Sequence, residues 1–531
     1  MNKFFKSGKI LGVILFSGMA WAAFGEAPVK YSEVEFVLSK VSIAQLGALG
    51  LPVDHHDANA DGIFEMPVSG YDLDLLRMHG IPFRLLIDDY ARFIEERNIR
   101  DAAEAKALAK AGKTPKPEIA VPLYFKHGSL GGYLNYAEIV KEIDEMRTRY
   151  PKLVSVKTEI GKTWENRSIW AIRISSSPDE ELPNRPRIVY NNMTHAREPM
   201  AVMSMTWFIW SLLEGYTTNP EYKRILDNID IHYIPVVNPD GYEYNRSTNP
   251  SGGGLWRKNR ATNKDGTRGV DPNRNYSVNW GNDAGSSPDG SSDTHRGPNA
   301  FSEPESKAVR DYYLAKKFRI SSNFHTFANK LLHPYGISGV PVNMVEYTAL
   351  CQAMTKVNGW QWGRLPPTIG YSAAGVEIDW AHDVGKTLAL NPEMGTAEQG
   401  GFWPPESSID KLALAGFDMN LAMARFALPP ITAIPFLGKQ ITKDFSFNIK
   451  GAPSGEWNIR YTLHDVSSKW TLRLRDLQGN VLRTYALPTS ENSFVLSRNG
   501  LPQSLFILDV SSCNEKGCRT VYNRKLAPSA I

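Results

Sequence analysis

The sequence predicts a large α/β domain whose sheet is covered by helices on both faces, preceded by a small α+β unit and followed by a β-sandwich. Three observations carry that reading. At 531 residues the chain is too long for one hydrophobic core. Its middle alternates β-rich runs with helical ones, the pattern of helices crossing over a buried sheet. Its final segment holds only short β runs separated by Gly, Pro, Asn and Ser, the spacing of an all-β unit. Apolar residues at 42% and charged residues at 22% are those of an ordinary globular protein.

The elements follow in order. Lys3, Lys6 and Lys9 precede the apolar run "ILGVILFSGMAWA" and the small-x-small site Ala20-Trp21-Ala22, so residues 1–22 have the three parts of a secretory signal peptide. The run is short for a membrane span, and no cysteine near the cleavage site offers a lipid attachment point. The mature chain is therefore expected to begin near Ala23, to be secreted or periplasmic, and to have no membrane contact once the signal is removed. Net charge is +4, and those three lysines supply most of it. No nucleic-acid or polyanion partner is implied.

Residues 23–96 run through "VEFVLS", "IAQLGALG", "PVDHH", "GIFEMPVS", "YDLDLLRMHG" and "PFRLLIDD", which reads strand, helix, strand, strand, helix, strand. That order suits a small open sandwich of the split βαβ type. "DANADG" at 57–62 imitates the start of a calcium loop, but its twelfth position is Val68, where a bidentate acid is needed. With His55 and His56 beside it, the segment reads as a polar hairpin turn. Residues 97–122 shift to alanine, lysine and proline, a solvated helix followed by an extended tether that proteases reach easily.

Between 123 and 428 come the β runs "VSVKTEIG", "SIWAIRIS", "RIVYNN", "IDIHYIPVV", "FRISSNFHTF" and "TLALNPE", with the helical runs "YAEIVKEIDEMRTRY", "MAVMSMTWFIWSLLEGY" and "SEPESKAVRDYYLAKK". Residues 433–531 then give the sandwich strands "FSFNIKG", "WNIRYTLHDV", "WTLRLRDL", "NSFVLS" and "SLFILDV". Cys513 and Cys518 flank a turn that could bring them into a disulfide in an oxidising compartment. Cys351, in "YTALCQAM", reads as a buried core residue.

One stretch raises chemistry. In "NNMTHAREPM", His195 and Glu198 sit between the strand "RIVY" and a long apolar helix. A hydrolytic zinc centre needs three protein ligands and one open position. Sites in open α/β sheets collect at the carboxyl edge of the strands, so a third ligand should follow another β run, and "ISSNFHTFANKLLHPYG" offers His325 there with His333 eight residues on. Glu393 ends a further strand, where a carboxylate could act on a water. Arg257 in "LWRKNR" offers a fixed cation for developing charge, and Arg274 beside Asn273 in "DPNRNY" offers a guanidinium fork for a carboxylate.

Taken in order, "HARE", "WRKNR", "DPNRNY", "NFHTF", "GYSAAGVEIDW" and the later strand-end glutamate resemble the zinc metallocarboxypeptidases of the pancreatic carboxypeptidase A and B and carboxypeptidase T type. The resemblance covers residues 123–428, and the leading unit resembles that family's prosegment. It implies a carboxypeptidase-like fold, a mixed eight-stranded sheet flanked by helices. It implies one zinc ion per chain held by His195, Glu198 and His325, with Asp271 orienting a zinc histidine. Glu393 would activate the water and pass its proton to the leaving amine, and Arg257 would polarise the scissile carbonyl. Asn273 and Arg274 would bind the terminal carboxylate, Tyr371 would close over it, and Arg197 would line an outer substrate subsite. His333 lies outside the motif and is structural.

The implied function is hydrolysis of the C-terminal peptide bond of peptides and proteins by a secreted, monomeric enzyme made as a zymogen, with an activating protease cutting between about Arg97 and Val121. Ile378, at the floor of the family's pocket for the C-terminal side chain, implies apolar or aromatic residues there. Glu377 beside it and Asn391 at another pocket position add polar groups, and "MGTAEQGG" departs from the family's usual Arg-Asp after the glutamate. The sequence also admits two other readings: a zinc peptidase acting on peptidoglycan stem peptides, and a catalytically inactive binding protein.

Overall fold

The computed structural model describes residues 28–53, 58–59, 61–113, 119–428, 445–451, 457–463, 467–476, 480–488, 493–496, 506–514 and 517–526. The signal segment 1–22 lies outside them. The leading unit is built on β1 (Tyr31–Val37), β2 (Ile63–Ser69) and β3 (Arg84–Ile87), antiparallel in the order β2-β1-β3. Val34 and Phe36 of β1 are fully buried, as the alternation of "VEFV" requires. The helices Ile43–Ala48 and Gly70–Met78 accompany this sheet, the second begun by a capping box between Ser69 and Asp72. The strand expected at "PVDHH" and the "DANADG" turn fall partly outside the described residues.

The helix Tyr90–Lys110 is capped by Asp89 and starts well before 97, so the expected boundary between unit and tether lies inside it. The reason is that Tyr90 and Ile94 recur at helical spacing and are both buried. They join the core of the large domain rather than that of the leading unit.

The large domain is a mixed eight-stranded sheet. Its strands are β4 (Thr158–Lys162), β5 (Ser168–Ile174), β6 (Arg187–Asn192), β7 (Asp230–Ile234), β8 (Ile320–Phe324), β9 (Lys330–His333), β10 (Gln361–Arg364) and β11 (Leu388–Glu393), in the order β10-β9-β11-β8-β6-β7-β5-β4. The central strands β11, β8, β6 and β7 are parallel, and β9, β5 and β4 introduce antiparallel pairs. Apolar clusters form on both sides of it. One holds the helices Met200–Gly215 and Ile409–Ala427. Met200–Gly215 is buried almost all round, as its unbroken apolar sequence demands. The other cluster runs from Val34, Phe36 and Leu46 of the leading unit to Tyr371 and Ile378.

The C-terminal strands form two sheets, matching the expected β domain. One is β12 (Phe445–Gly451), β13 (Trp457–Leu463) and β16 (Ser493–Leu496); the other is β15 (Val481–Leu487), β14 (Lys469–Arg475), β17 (Phe506–Asn514) and β18 (Gly517–Leu526). Cys513 and Cys518 form a disulfide between β17 and β18. Cys351 is buried, and burial pushes its thiol up. Among the described residues no helix is long and apolar enough to cross a membrane.

Candidate metal centre

Two neighbouring parallel strands deliver the centre. Asn192 at the end of β6 pairs with Phe324 at the end of β8, so the residues that follow emerge side by side at the carboxyl edge. His195 and Glu198 lie in the turn between β6 and Met200–Gly215, and Pro199 opens that helix, where its missing N–H is not needed. His325 directly follows β8. Its backbone is fastened to the end of β11, with N–H bonded to the Pro392 carbonyl at 2.8 Å and carbonyl bonded to Met394 N at 2.9 Å. Glu393 is thereby bridged to His325.

His195 Nδ1 is 2.7 Å from Glu198 Oε1, His325 Nδ1 is 2.9 Å from Glu198 Oε2, and the two Nδ1 atoms are 3.0 Å apart. All three side chains are buried, and their donor atoms lie within 4.8 Å of one another. Zinc bonds of about 2.0–2.1 Å set tetrahedral ligand atoms about 3.3 Å apart. Two imidazole nitrogens and a carboxylate converging at nearly that spacing fit zinc. Burial and Arg257 push the His195 imidazole down, but Glu198 and Asp271 outweigh them and hold it above its usual range. Burial would raise the Glu198 carboxyl, and the two histidines opposite it bring it well below the ordinary value.

Asp271 stands behind this group. Its Oδ1 is 3.3 Å from His195 Nε2 and accepts from Asn273 N at 2.8 Å, while Oδ2 accepts from Arg257 Nε at 3.0 Å. Burial works against its ionised form, but Arg257, His195 and Arg274 hold it strongly acidic. Such an acid fixes the tautomer and orientation of a metal histidine. Asp271→Asn is expected to weaken zinc binding by roughly 10–100-fold, measured by competition with a chromogenic chelator; unchanged affinity would remove Asp271 from this role.

Asp271 also caps the short turn Pro272–Arg274. That turn aims the Arg274 guanidinium into a cage, with Nε donating to Gly285 O at 2.6 Å, Nη1 to Asn273 O at 2.9 Å and Nη2 to the Tyr371 hydroxyl at 3.4 Å. Gly375 permits the close approach of the Tyr371 loop: its φ is +68°, and a Cβ there would lie 2.4 Å from the Arg274 carbonyl. Asn273 Oδ1 accepts from Glu377 N at 2.9 Å, linking this turn to the helix that carries Ile378. Ile378 is buried. Burial pushes the Glu377 carboxyl up to about 7, with Tyr313, Asn191 and Asn323 pulling it back.

Arg197 is buried with Nη1 3.3 Å from Asp293 Oδ2 and its guanidinium over the Phe402 ring at 4.4 Å. Asp293 also accepts from the Tyr31 hydroxyl of the leading unit at 3.1 Å. His333 hydrogen-bonds the Pro334 carbonyl and stacks on Tyr347 in the core. Two contacts escaped sequence reasoning. The first is Asp293 opposite Arg197, which no local signal marks. The second is the bond from Asn391 Nδ2 to Glu393 Oε1 at 2.9 Å, which the two-residue spacing on one strand face could have suggested.

The zinc carboxypeptidase family profile matches residues 139–418. Rat carboxypeptidase A1 is 31% identical over 344 residues, spanning 63% of this chain and 76% of that protein. Carboxypeptidase B of Astacus astacus is 32% identical over 306 residues, 55% of this chain and 96% of that one. The crystal structure of carboxypeptidase A from Helicoverpa armigera superposes with a TM-score of 0.59 at 23% identity, covering 76% of this chain and 98% of that one, a likeness of fold.

Proposed function

The chain belongs to the zinc carboxypeptidase family, and we propose that it is exported, as a monomer and zymogen, to remove apolar or aromatic residues from peptide C-termini. It is a zinc metallocarboxypeptidase. The observation that carries the reading is one buried centre in which His195, Glu198 and His325 converge while Glu393 is bridged to His325. Zinc, when bound there, supplies a Lewis acid that polarises a carbonyl and acidifies water.

The chain's own groups do the rest. Glu393 takes a proton from the attacking water and delivers it to the leaving amine. Arg257, held by Asp271, presents a fixed positive charge where the carbonyl oxygen becomes negative. Arg274 and Asn273 grip the free terminal carboxylate, with Tyr371 beside them. An internal peptide bond would leave the buried guanidinium without that partner, which favours cutting at chain ends. Ile378 supports apolar or aromatic C-terminal residues, and burial, which pushes the neighbouring Glu377 carboxyl up, disfavours its charged form beside them.

Zymogen status draws support from where the leading unit docks. Ser292 and Thr294 hydroxyls donate to the Gly50 carbonyl, both at 3.0 Å, and Tyr71 donates to Asp289 at 2.8 Å. A Cβ on Gly47 would lie 3.5 Å from Tyr371. The unit thus rests on the residue proposed to close over substrate and, through Tyr31 and Asp293, beside Arg197. Residues 1–22, 23–96 and 97–122 are read as signal, prosegment and activation tether, before the catalytic domain at 123–428 and the sandwich at 433–531.

The test is mass spectrometry of peptides differing only in the last residue, incubated with uncut protein and with protein cut between Arg97 and Val121. Trimmed enzyme, assayed dilute enough for the severed leading unit to leave, is expected to release single residues, fastest for Phe or Leu, and to stop when zinc is chelated. Uncut protein is expected to be roughly tenfold or more slower. Equal rates would sink the zymogen reading, and no release from any of these peptides, with peptidoglycan stem peptides run alongside being cut instead, would sink the substrate reading.

A further inference from the structure

Asn391 and Glu393 stand two residues apart on β11, so their side chains share one face of the strand. Asn391 Nδ2 donates to Glu393 Oε1 at 2.9 Å. Pro392 between them fixes its own φ and confines Asn391 to extended backbone. Its carbonyl is taken by His325 N at 2.8 Å, and Asn391 itself pairs with Leu332 of β9. The triplet Asn391-Pro392-Glu393 therefore has little freedom, and the amide meets the carboxylate from a rigid base.

The orientation of that amide has a cost. An ionised carboxylate only accepts hydrogen bonds, so Asn391 must turn its nitrogen toward Glu393. Its carbonyl Oδ1 is then left buried with no hydrogen-bond partner among the described residues, on a side chain 5% exposed. A buried carbonyl without a partner lowers stability, and an apolar residue of similar volume would not carry that penalty. A polar group kept there, with its amide bonded to the carboxylate, points to a task in the reaction.

We propose that Asn391 is a positioning residue: its amide holds the Glu393 carboxylate in the orientation from which it takes a proton from the attacking water. Asn391 exchanges no proton itself; Glu393 gains one from water and returns it to the leaving amine. The proposal rests on reading Glu393 as the proton acceptor and goes beyond it in naming what aims that group.

The experiment compares trimmed, zinc-loaded wild type with N391L and N391D, measuring kcat, KM, zinc content and Tm on peptides ending in Phe, Leu and Lys. N391L is expected to lower kcat roughly ten- to a hundredfold, equally for all three endings, with KM within about twofold of wild type. Zinc content should stay at one per chain, and Tm should be unchanged or higher. N391D, which replaces the donor by an acceptor facing Glu393, should lower kcat at least as much. In an E393Q background, N391L should have little further effect.

An unchanged kcat would overturn the proposal. So would a loss confined to KM or dependent on the C-terminal residue, which would make Asn391 only a wall of the side-chain pocket. A lowered Tm or lost zinc in N391L would assign it a structural role instead. Full activity of E393Q alone would mark failure of the parent reading, distinct from failure of this one.

Discussion

Glu393→Gln is expected to lower kcat by roughly 10²–10⁴-fold, the range a positioned acid–base group supplies, with KM and zinc content close to wild type. Glutamine has nearly the same shape, and its amide oxygen can still accept from Asn391 Nδ2, so the end of β11 should remain as it is. What it lacks is a basic lone pair for the proton of water. The backbone that fastens Glu393 beside His325, through Pro392 and Met394, does not involve the altered side chain. Stopped-flow and steady-state rates on a peptide ending in Phe, with zinc content measured on the same sample, check this. A kcat within about threefold of wild type would show that another group takes the proton.

Arg274→Met is expected to cost roughly 3–5 kcal/mol in kcat/KM, the penalty for leaving a buried charge without its partner, here the substrate's terminal carboxylate. Methionine fills much of the volume, while Asp271 keeps Arg257 and His195 as counterions. The diagnostic quantity is discrimination. Wild type should strongly prefer a peptide with a free carboxylate to its C-terminal amide, and in the variant that preference should collapse because only the acid loses its grip. Equal loss on both would mean that Arg274 supports the fold around Gly285 and Tyr371 rather than reading the chain end.

The parts of this molecule that were legible in the sequence are those governed by local pattern. β1, β5, β6 and β8 announce themselves by alternation or by short apolar runs, and the long helices by periodicity. The metal ligands were legible because each sits just beyond such a strand, and strand ends converge in parallel sheets. β9 and β10, "KLLH" and "QWGR", were not, because four residues are too few for a period to show. The early start of Tyr90–Lys110 was hidden because "YARFIEERN" carries both strand-like and helix-like residues until its packing partners are known. Contacts such as Tyr31 with Asp293, 262 residues apart, leave no trace in any local window. Nor does spacing alone reveal which way the Asn391 amide turns; that depends on the charge of the carboxylate it meets.

In the helix Tyr90–Lys110, Tyr90 and Ile94 sit in the large domain's core while Arg97 and Asn98 donate to the carbonyls of Trp403 and Ser251. A cut beyond the helix end would leave all of these contacts in place. On the proposed zymogen reading it would change only the statistics of encounter: before the cut the covalent link would maintain a millimolar-scale local concentration of the leading unit, afterwards only its bulk concentration would count. Activity after cutting should then rise with dilution, following dissociation rather than bond scission, so that a crowded compartment would keep the severed protein silent and a large volume would release it.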